Sequence, residues 1–280
     1  MFEALYSIIT SICFGLGSTI SKKTISENGL YRAIVYNYVF VALLLIVGAI
    51  FFHQSLSFPS TLVFPYLIEI LIGAVAVIAL FRAFEIGKAS VLGPLSMLYV
   101  LVVLFGAIVF FGENVSQYQM AGCLLLISSS LFLSFENLRK FKLESGVALL
   151  LVTIFGWGYY YSAMKIFVPV LGAYMTTFYL EIGIGIIVST YAILSKKDVS
   201  PPKSSDSIEI FFRSGLLFLG SLLYSASVGN IGVGLTSAIV SSSSLVTAIS
   251  SYFMFKEKLD FSKYLAMFIS IIGLVLIFLG

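Results

Sequence analysis

The sequence predicts an all-α, polytopic integral membrane protein in which ten transmembrane helices form two inverted five-helix repeats. Three observations lead there: the composition, the spacing of the apolar runs, and the recurrence of short motifs. Of the 280 residues, 60% are hydrophobic and only 10% are charged, with a mean hydropathy of +1.08. Soluble domains are about a quarter charged. The composition therefore excludes a soluble enzyme.

Apolar runs long enough to cross a bilayer follow one another along almost the whole chain. A crossing helix needs about 20 apolar residues. The ten predicted spans are 3–21, 33–52, 62–85, 91–111, 117–135, 145–166, 172–194, 209–228, 235–255 and 262–280. The first span lacks the positive flank of a secretory signal, so we expect it to be a permanent helix. The short connections leave no room for a domain outside the membrane.

The cations predict the orientation, because Lys and Arg near span ends are retained on the cytoplasmic side. Fifteen of the 16 lie on the side of the connections that follow odd-numbered spans, and Lys165 alone lies opposite. We therefore expect a multi-pass protein of the cell membrane with both termini outside the cytoplasm. A single miscounted span would move the termini but leave the cation side unchanged.

Two short motifs recur about 140 residues apart. Phe-Gly-Leu-Gly at 14–17 returns as Phe-Gly-Trp-Gly at 155–158, and Phe-Gly-Glu at 111–113 returns as Phe-Lys-Glu at 255–257. Residues 1–140 and 141–280 are thus predicted to be two copies of one five-span unit. Because each copy crosses an odd number of times, the second must be inverted, an arrangement typical of secondary transporters.

The charges of matching loops test this inversion independently. The loop between spans 4 and 5 has no Lys or Arg, whereas its counterpart carries Lys256, Lys258 and Lys263. The connection from span 3 to span 4 carries Arg82 and Lys88, and its counterpart carries none. Positive charge changes sides as inversion requires.

With these motifs in place, the sequence resembles the ten-helix drug/metabolite transporters with paired EamA-type repeats. The resemblance covers nearly the whole chain: repeat length, the small-residue segment of each first helix, and the turns at Glu113 and Glu257. It implies alternating access around a central cavity and a cargo of amino acids, other small metabolites or drugs. Members often have a proline midway along each fourth helix; the matching positions here are Val100 and Ser244, so the resemblance does not support a kink there.

Aromatic side chains in mid-span are the first candidates for solute contact. Trp157 is the only tryptophan and lies mid-span instead of at an interface, where aromatic belts form. With Tyr160 and Tyr161 beside it, and Tyr99 in span 4, it offers flat surfaces and polar donors for an amphipathic or cationic ligand. An aromatic wedge between helices would have the same sequence.

Acids and small polar residues complete the candidate set. Polar groups at membrane depth are costly and usually face a cavity. Glu181 in mid-span 7 could pair with a cationic solute or exchange a proton, or it could be a neutral acid bonded to a neighbouring helix. Asn37, Ser96 and Ser244 are further candidates for the lining, although serines more often pack helices together.

The leading functional prediction is a secondary transporter of a small organic metabolite, such as an amino acid, working as a monomer without a cofactor. The alternatives are an exporter of amphipathic cations or drugs, a channel, or an intramembrane enzyme. No span contains a His/Asp/Glu cluster for catalysis, no filter motif is present, and no basic run suggests nucleic acid. The relatives' membrane-embedded glutamate in span 1 is missing, so Glu181 is the candidate for any proton coupling.

Overall fold

Helices account for most of the residues that a computed structural model describes, which are 2–87, 89–134, 146–256 and 261–280. The helices are α1 (Phe2–Asn28), α2 (Leu30–Phe51), α3 (Val63–Ile86), α4 (Ala89–Ser96), α5 (Tyr99–Val109), α6 (Gln117–Ser134), α7 (Val147–Leu194), α8 (Ser204–Ile231), α9 (Val233–Val240), α10 (Ser243–Phe255) and α11 (Phe261–Leu279). A single 3₁₀ turn, Ser60–Leu62, precedes α3. Each predicted span falls on one of these helices or on a consecutive pair.

Seven helices within the described ranges are long and apolar enough to cross a membrane, and α6 and α11 are shorter apolar helices. Large apolar side chains such as Val47, Ile50 and Phe268 are more than half exposed on the outside of the bundle. In water such a surface would be costly, whereas lipid tails solvate it. The chain is an all-helical membrane protein.

Glycines with positive φ divide the chain where one helix turns into the next. Gly172 has φ 75° and ψ 165° and interrupts α7, so this 48-residue element is two helices that meet at a bend. Gly29 separates α1 from α2 with φ 79°. Such angles are strained for side chains with a Cβ, which explains glycine at these corners.

The fourth predicted span of each half is interrupted by a two-residue turn, at 97–98 and at 241–242, whose described residues keep right-handed helical angles. In the first half α4 ends at Ser96 and α5 begins at Tyr99. Pro94 lies within α4 and cannot donate a helical hydrogen bond. In the second half Ser241 and Ser242 donate their hydroxyls to carbonyls three residues back, at 2.6 and 2.7 Å. These side-chain bonds compete with the helical pattern.

The most extensive helix contacts among the described residues join helices from the two halves. The most extensive pairs are α3 with α7, α1 with α8, and α6 with α11. A Cβ on Gly15 of α1 would lie 2.5 Å from Val246 Cβ and 2.7 Å from the Ser243 carbonyl oxygen of α10. A Cβ on Gly156 of α7 would lie 2.8 Å from Ala76 Cβ of α3. The first glycine of each repeated motif thus lies where two helices approach closely.

Candidate functional site

A cavity of about 70 Å³ lies between helices of both halves of the chain. Its wall is built from α1, α2, α3, the α4–α5 break, α7 and α8. The lining side chains that carry its chemistry are Ser18, Ser21, Tyr38, Phe81, Tyr99, Trp157, Tyr161 and Arg213. Gly17 also faces this space, and a Cβ added there would have nothing within 4 Å.

Three predicted residues form an aromatic wall on one side of the cavity. The ring centroids of Tyr99 and Trp157 are 6.0 Å apart at 89°, and those of Tyr99 and Tyr161 are 4.8 Å apart. Trp157 and Tyr161 lie one helical turn apart on α7, while Tyr99 begins α5. Edge-to-face and tilted ring pairs hold one another in fixed orientations. The wall is therefore an aromatic surface of fixed shape for an apolar part of a solute.

The other five predicted residues are buried outside the cavity lining, and three of them form hydrogen bonds between helices. The Ser221 hydroxyl donates to Glu181 Oε1 at 2.6 Å. The Ser214 hydroxyl donates to the Asn37 side-chain oxygen at 3.1 Å. The other three are also buried away from the lining: Ser96 donates to the Gly93 carbonyl at 2.7 Å, Ser244 accepts from Ser130 at 3.2 Å, and Tyr160 packs 5.2 Å from the ring of Tyr161. Their part in solute binding stays a prediction.

Arg213 lines the cavity. From the sequence it was predicted to be one of the 15 cations on the cytoplasmic side. Helix α8 begins at Ser204, five residues before the predicted start of span 8, so Arg213 lies about 13 Å along the helix axis. Its Nε donates to the Ser21 hydroxyl of α1 at 2.9 Å. Its guanidinium carbon lies 5.2 Å from the ring centre of Phe81. A cation inside a predicted span was the signal available in the sequence.

A second polar cluster joins the halves at the far end of the bundle. Glu113 follows α5, and its side chain is only 12% exposed. Its Oε1 accepts from Lys165 Nζ at 2.7 Å and from the Val233 amide at 2.9 Å, while its Oε2 accepts from the Gly234 amide at 2.9 Å. The carboxylate thus satisfies the free amides at the start of α9. We call this cluster of Glu113, Lys165 and the start of α9 the outer latch, after the side on which the orientation predicted from the sequence would place it.

Gly232 makes this approach of the carboxylate feasible. Its φ of 84° turns the chain between α8 and α9, and a Cβ there would lie 2.7 Å from Glu113 Oε1. The second motif's counterpart, Glu257, lies outside the described residues. In the part of the chain that the structure describes, no three His, Cys, Asp or Glu side chains come together as a metal site.

The fold defines the chain as a polytopic helical membrane protein, and its internal cavity is lined by residues of both halves. The profile of the EamA-like transporter family matches the sequence twice, over residues 1–135 and 144–279. The chain therefore belongs to the EamA-like transporter family and is a membrane transporter by family. No curated protein matches the sequence.

Solved structures show the same fold. One crystal structure, described only as "Crystal structure of protein", aligns with a TM-score of 0.76 over 99% of this chain and 97% of its own. The two sequences are 15% identical, so the likeness concerns the fold alone.

Proposed function

We propose that the protein is a secondary transporter that moves a small organic metabolite, such as an amino acid, across the cell membrane by alternating access. The observation that carries this proposal is the cavity, because helices of both halves contribute to its wall. A site shared by two bodies can be exposed to either side when the bodies move against each other. The lining is mostly apolar and aromatic with a few polar groups, which is typical of sites for small organic ligands.

Ten crossings in two inverted repeats remain part of the proposal, and the helix lengths support them. At 48 residues, α7 would span about 72 Å if straight, which is more than twice the hydrocarbon thickness of a bilayer. The bend at Gly172 therefore suits two crossings, one on each side of it. The broken pairs α4–α5 and α9–α10 each have the combined length of one crossing.

The pairing of helices also supports a twofold relation between the residue ranges 1–140 and 141–280. If α1 corresponds to the first part of α7 and α3 corresponds to α8, then exchanging the halves converts the α1–α8 contact into the α7–α3 contact. Both pairs are extensive. The α6–α11 contact converts into itself. This is the pattern expected of a pseudo-twofold axis in the membrane plane.

The same contacts suggest two moving bundles. Helix α1 packs on α8 and α10, and α3 and α5 pack on α7. The outer latch joins these bundles at one end, because Glu113 and Lys165 belong with α5 and α7 and hold the start of α9. At the other end, Lys22 of α1 donates to the Phe84 and Gly87 carbonyls, the latter at 2.7 Å, where α3 ends. We propose that these two contacts close the outer and cytoplasmic sides in turn.

The proposed orientation places both termini outside the cytoplasm. It follows from the Lys and Arg bias and puts the latch on the outer face. Two fused halves provide a complete cavity, so we propose that the monomer transports.

Within the cavity, we propose that Tyr99, Trp157 and Tyr161 contact the solute directly. Glu181 is buried outside the cavity lining and interacts electrostatically with Arg213. Glu181 is the candidate site for proton coupling. We propose that Asn37, Ser96, Tyr160 and Ser244 support the cavity wall without touching the solute. The aromatic wall would also suit an exporter of amphipathic cations, which is the second candidate function.

Counterflow in proteoliposomes tests the proposal. A thermal-shift panel of amino acids, nucleosides, sugars and organic cations first identifies a solute that raises the apparent melting temperature. Vesicles preloaded with that solute should then take up labelled solute transiently above equilibrium, with a saturating rate. Flux that never saturates and shows no counterflow would indicate a channel. The second candidate function would be favoured if only organic cations stabilise the protein.

A further inference from the structure

The cavity carries one formal charge among its described lining residues, that of Arg213. Every other side chain of the wall is apolar, aromatic or hydroxylic. An arginine in an apolar setting is costly unless an anion neutralises it. The charge therefore determines the kind of solute that the cavity favours.

The guanidinium of Arg213 uses little of its donor capacity within the protein. Arginine has five N–H donors. One of them, on Nε, reaches Ser21, and the face of the group lies over Phe81. Nη1 is buried, and no described residue accepts a hydrogen bond from it. No carboxylate oxygen of the described residues lies within 4.0 Å of the group, although surface pairs elsewhere, such as Arg32 with Asp198, are made.

Glu181 does not take up these donors. Its electrostatic interaction with Arg213 acts through space, and its Oε1 accepts from Ser221 instead. It is also absent from the residues that line the cavity. A carboxylate that enters the cavity would therefore have no protein partner of Nη1 to displace.

We propose that Arg213 anchors the carboxylate of the solute, and that the transported class is small organic monoanions or zwitterions with an apolar body. This inference rests on the proposed transport function and adds the charge of the substrate. A planar guanidinium matches a carboxylate in a two-bonded fork. One positive charge balances one carboxylate, whereas a doubly charged phosphate would remain half neutralised. The wall of Tyr99 and Trp157 receives the apolar body.

A series of three isosteric probes tests the sign of the charge. The probes are 3-phenylpropionate, its neutral amide, and 3-phenylpropylamine, which share the phenyl group and chain length. Binding to the purified protein is followed by fluorescence of Trp157, the only tryptophan, which lies in the cavity wall. The carboxylate should bind roughly tenfold or more tightly than the amide, as expected for hydrogen bonds to a charged group. The amine should bind most weakly.

Two variants separate the role of Arg213 from a general loss of folding. In Arg213→Gln the preference for the carboxylate over the amide should disappear, while binding of the amide is retained. Ser21→Ala removes the protein's own acceptor from Arg213 but leaves the charge, so its preference should persist. Equal binding of all three probes to the wild type, tighter binding of the amine, or absence of carboxylate binding at every concentration tested would overturn the inference.

Counterflow distinguishes this inference from the proposed function. If the carboxylate binds preferentially but never shows counterflow, the anion site stands and the transport proposal fails. If the amine alone binds and shows counterflow, transport stands and the anion site is wrong.

Discussion

Replacing Glu113 by Gln should open the outer side of the protein. Glu113 accepts two backbone hydrogen bonds from the start of α9 and one from Lys165. Gln keeps the size of the side chain, but it retains one acceptor oxygen and loses the negative charge that faces the α9 amides. We therefore expect the outer latch to weaken selectively.

The size of the effect follows from these contacts. A buried hydrogen bond to a charged group contributes about 1.5–3 kcal/mol. The Lys165 side chain is 34% exposed, so its ion pair adds about 1 kcal/mol at most. Loss of one amide bond together with the charge then costs about 2–3 kcal/mol, which shifts the ratio of closed to open outer side about 30- to 150-fold. Lys165→Met should shift it about fivefold.

Cys13 provides the assay, because it lines the cavity and is buried. A membrane-impermeant thiosulfonate added to the outer face should modify Cys13 faster in Glu113→Gln, in proportion to the open fraction. The other cysteine, Cys123, is fully buried in a cluster that includes Ile277 of α11. It is replaced by alanine in every protein compared, so that only Cys13 can react. Glu85→Gln, which changes only an exposed pair with Arg82, is the matched control.

The results can contradict the role of the latch in three ways. Modification of Cys13 could be unchanged in Glu113→Gln. Lys165→Met could have the larger effect, which would place the strength of the latch in the ion pair. Faster modification from the cytoplasmic face would reverse the proposed orientation.

Three further predictions concern packing, burial and pH. Gly15→Ala should destabilise the purified protein by about 1–3 kcal/mol, because there is no space for the added Cβ. Gly17→Ala, whose Cβ would meet nothing within 4 Å, is the control and should not lower the melting temperature. Equal melting temperatures of the two variants would contradict the close contact at Gly15. Glu69→Met should stabilise the fold by about 1–3 kcal/mol, since neither buried carboxyl oxygen of Glu69 has a partner among the described residues. A melting temperature below that of the wild type would indicate that Glu69 makes a stabilising bond. Hydrogen bonds from the Ser200 hydroxyl and amide, with a smaller contribution from Arg32, lower the pKa of Asp198. Its contribution to stability is therefore present above its ordinary pKa and lost as pH falls through the lowered one, so the melting curves of wild type and Asp198→Asn should converge in acid.

The order and positions of the helices could be predicted because apolar runs of crossing length are visible without any tertiary information. Their ends could not. The first span was predicted to end at Ser21, yet α1 continues to Asn28. Lys23 is tolerated in the helix because it forms an ion pair with Glu209 of α8, a contact 186 residues away in the sequence. Such pairs depend on how the halves pack.

Part of the cavity wall could also be predicted from the sequence alone. Tyr99 and Trp157 are unusual in mid-span, and the structure places both in the lining. Arg213 was grouped with interfacial cations because its depth depends on where α8 begins, at Ser204. The broken fourth spans were missed because Pro94 lies six residues before the matching position, and because the serines of the second break act through hydroxyl bonds that no residue pattern specifies.

The two interruptions differ in what accompanies them. In the first, Pro94 lacks an amide hydrogen, so the helical hydrogen bond that its nitrogen would donate is absent permanently. In the second, the Ala238 and Ile239 carbonyls accept both the amides and the hydroxyls of Ser241 and Ser242. The hydroxyls can rotate away while the amide bonds stay. The first interruption is therefore built into the covalent chain, whereas the side-chain bonds of the second can be lost and remade.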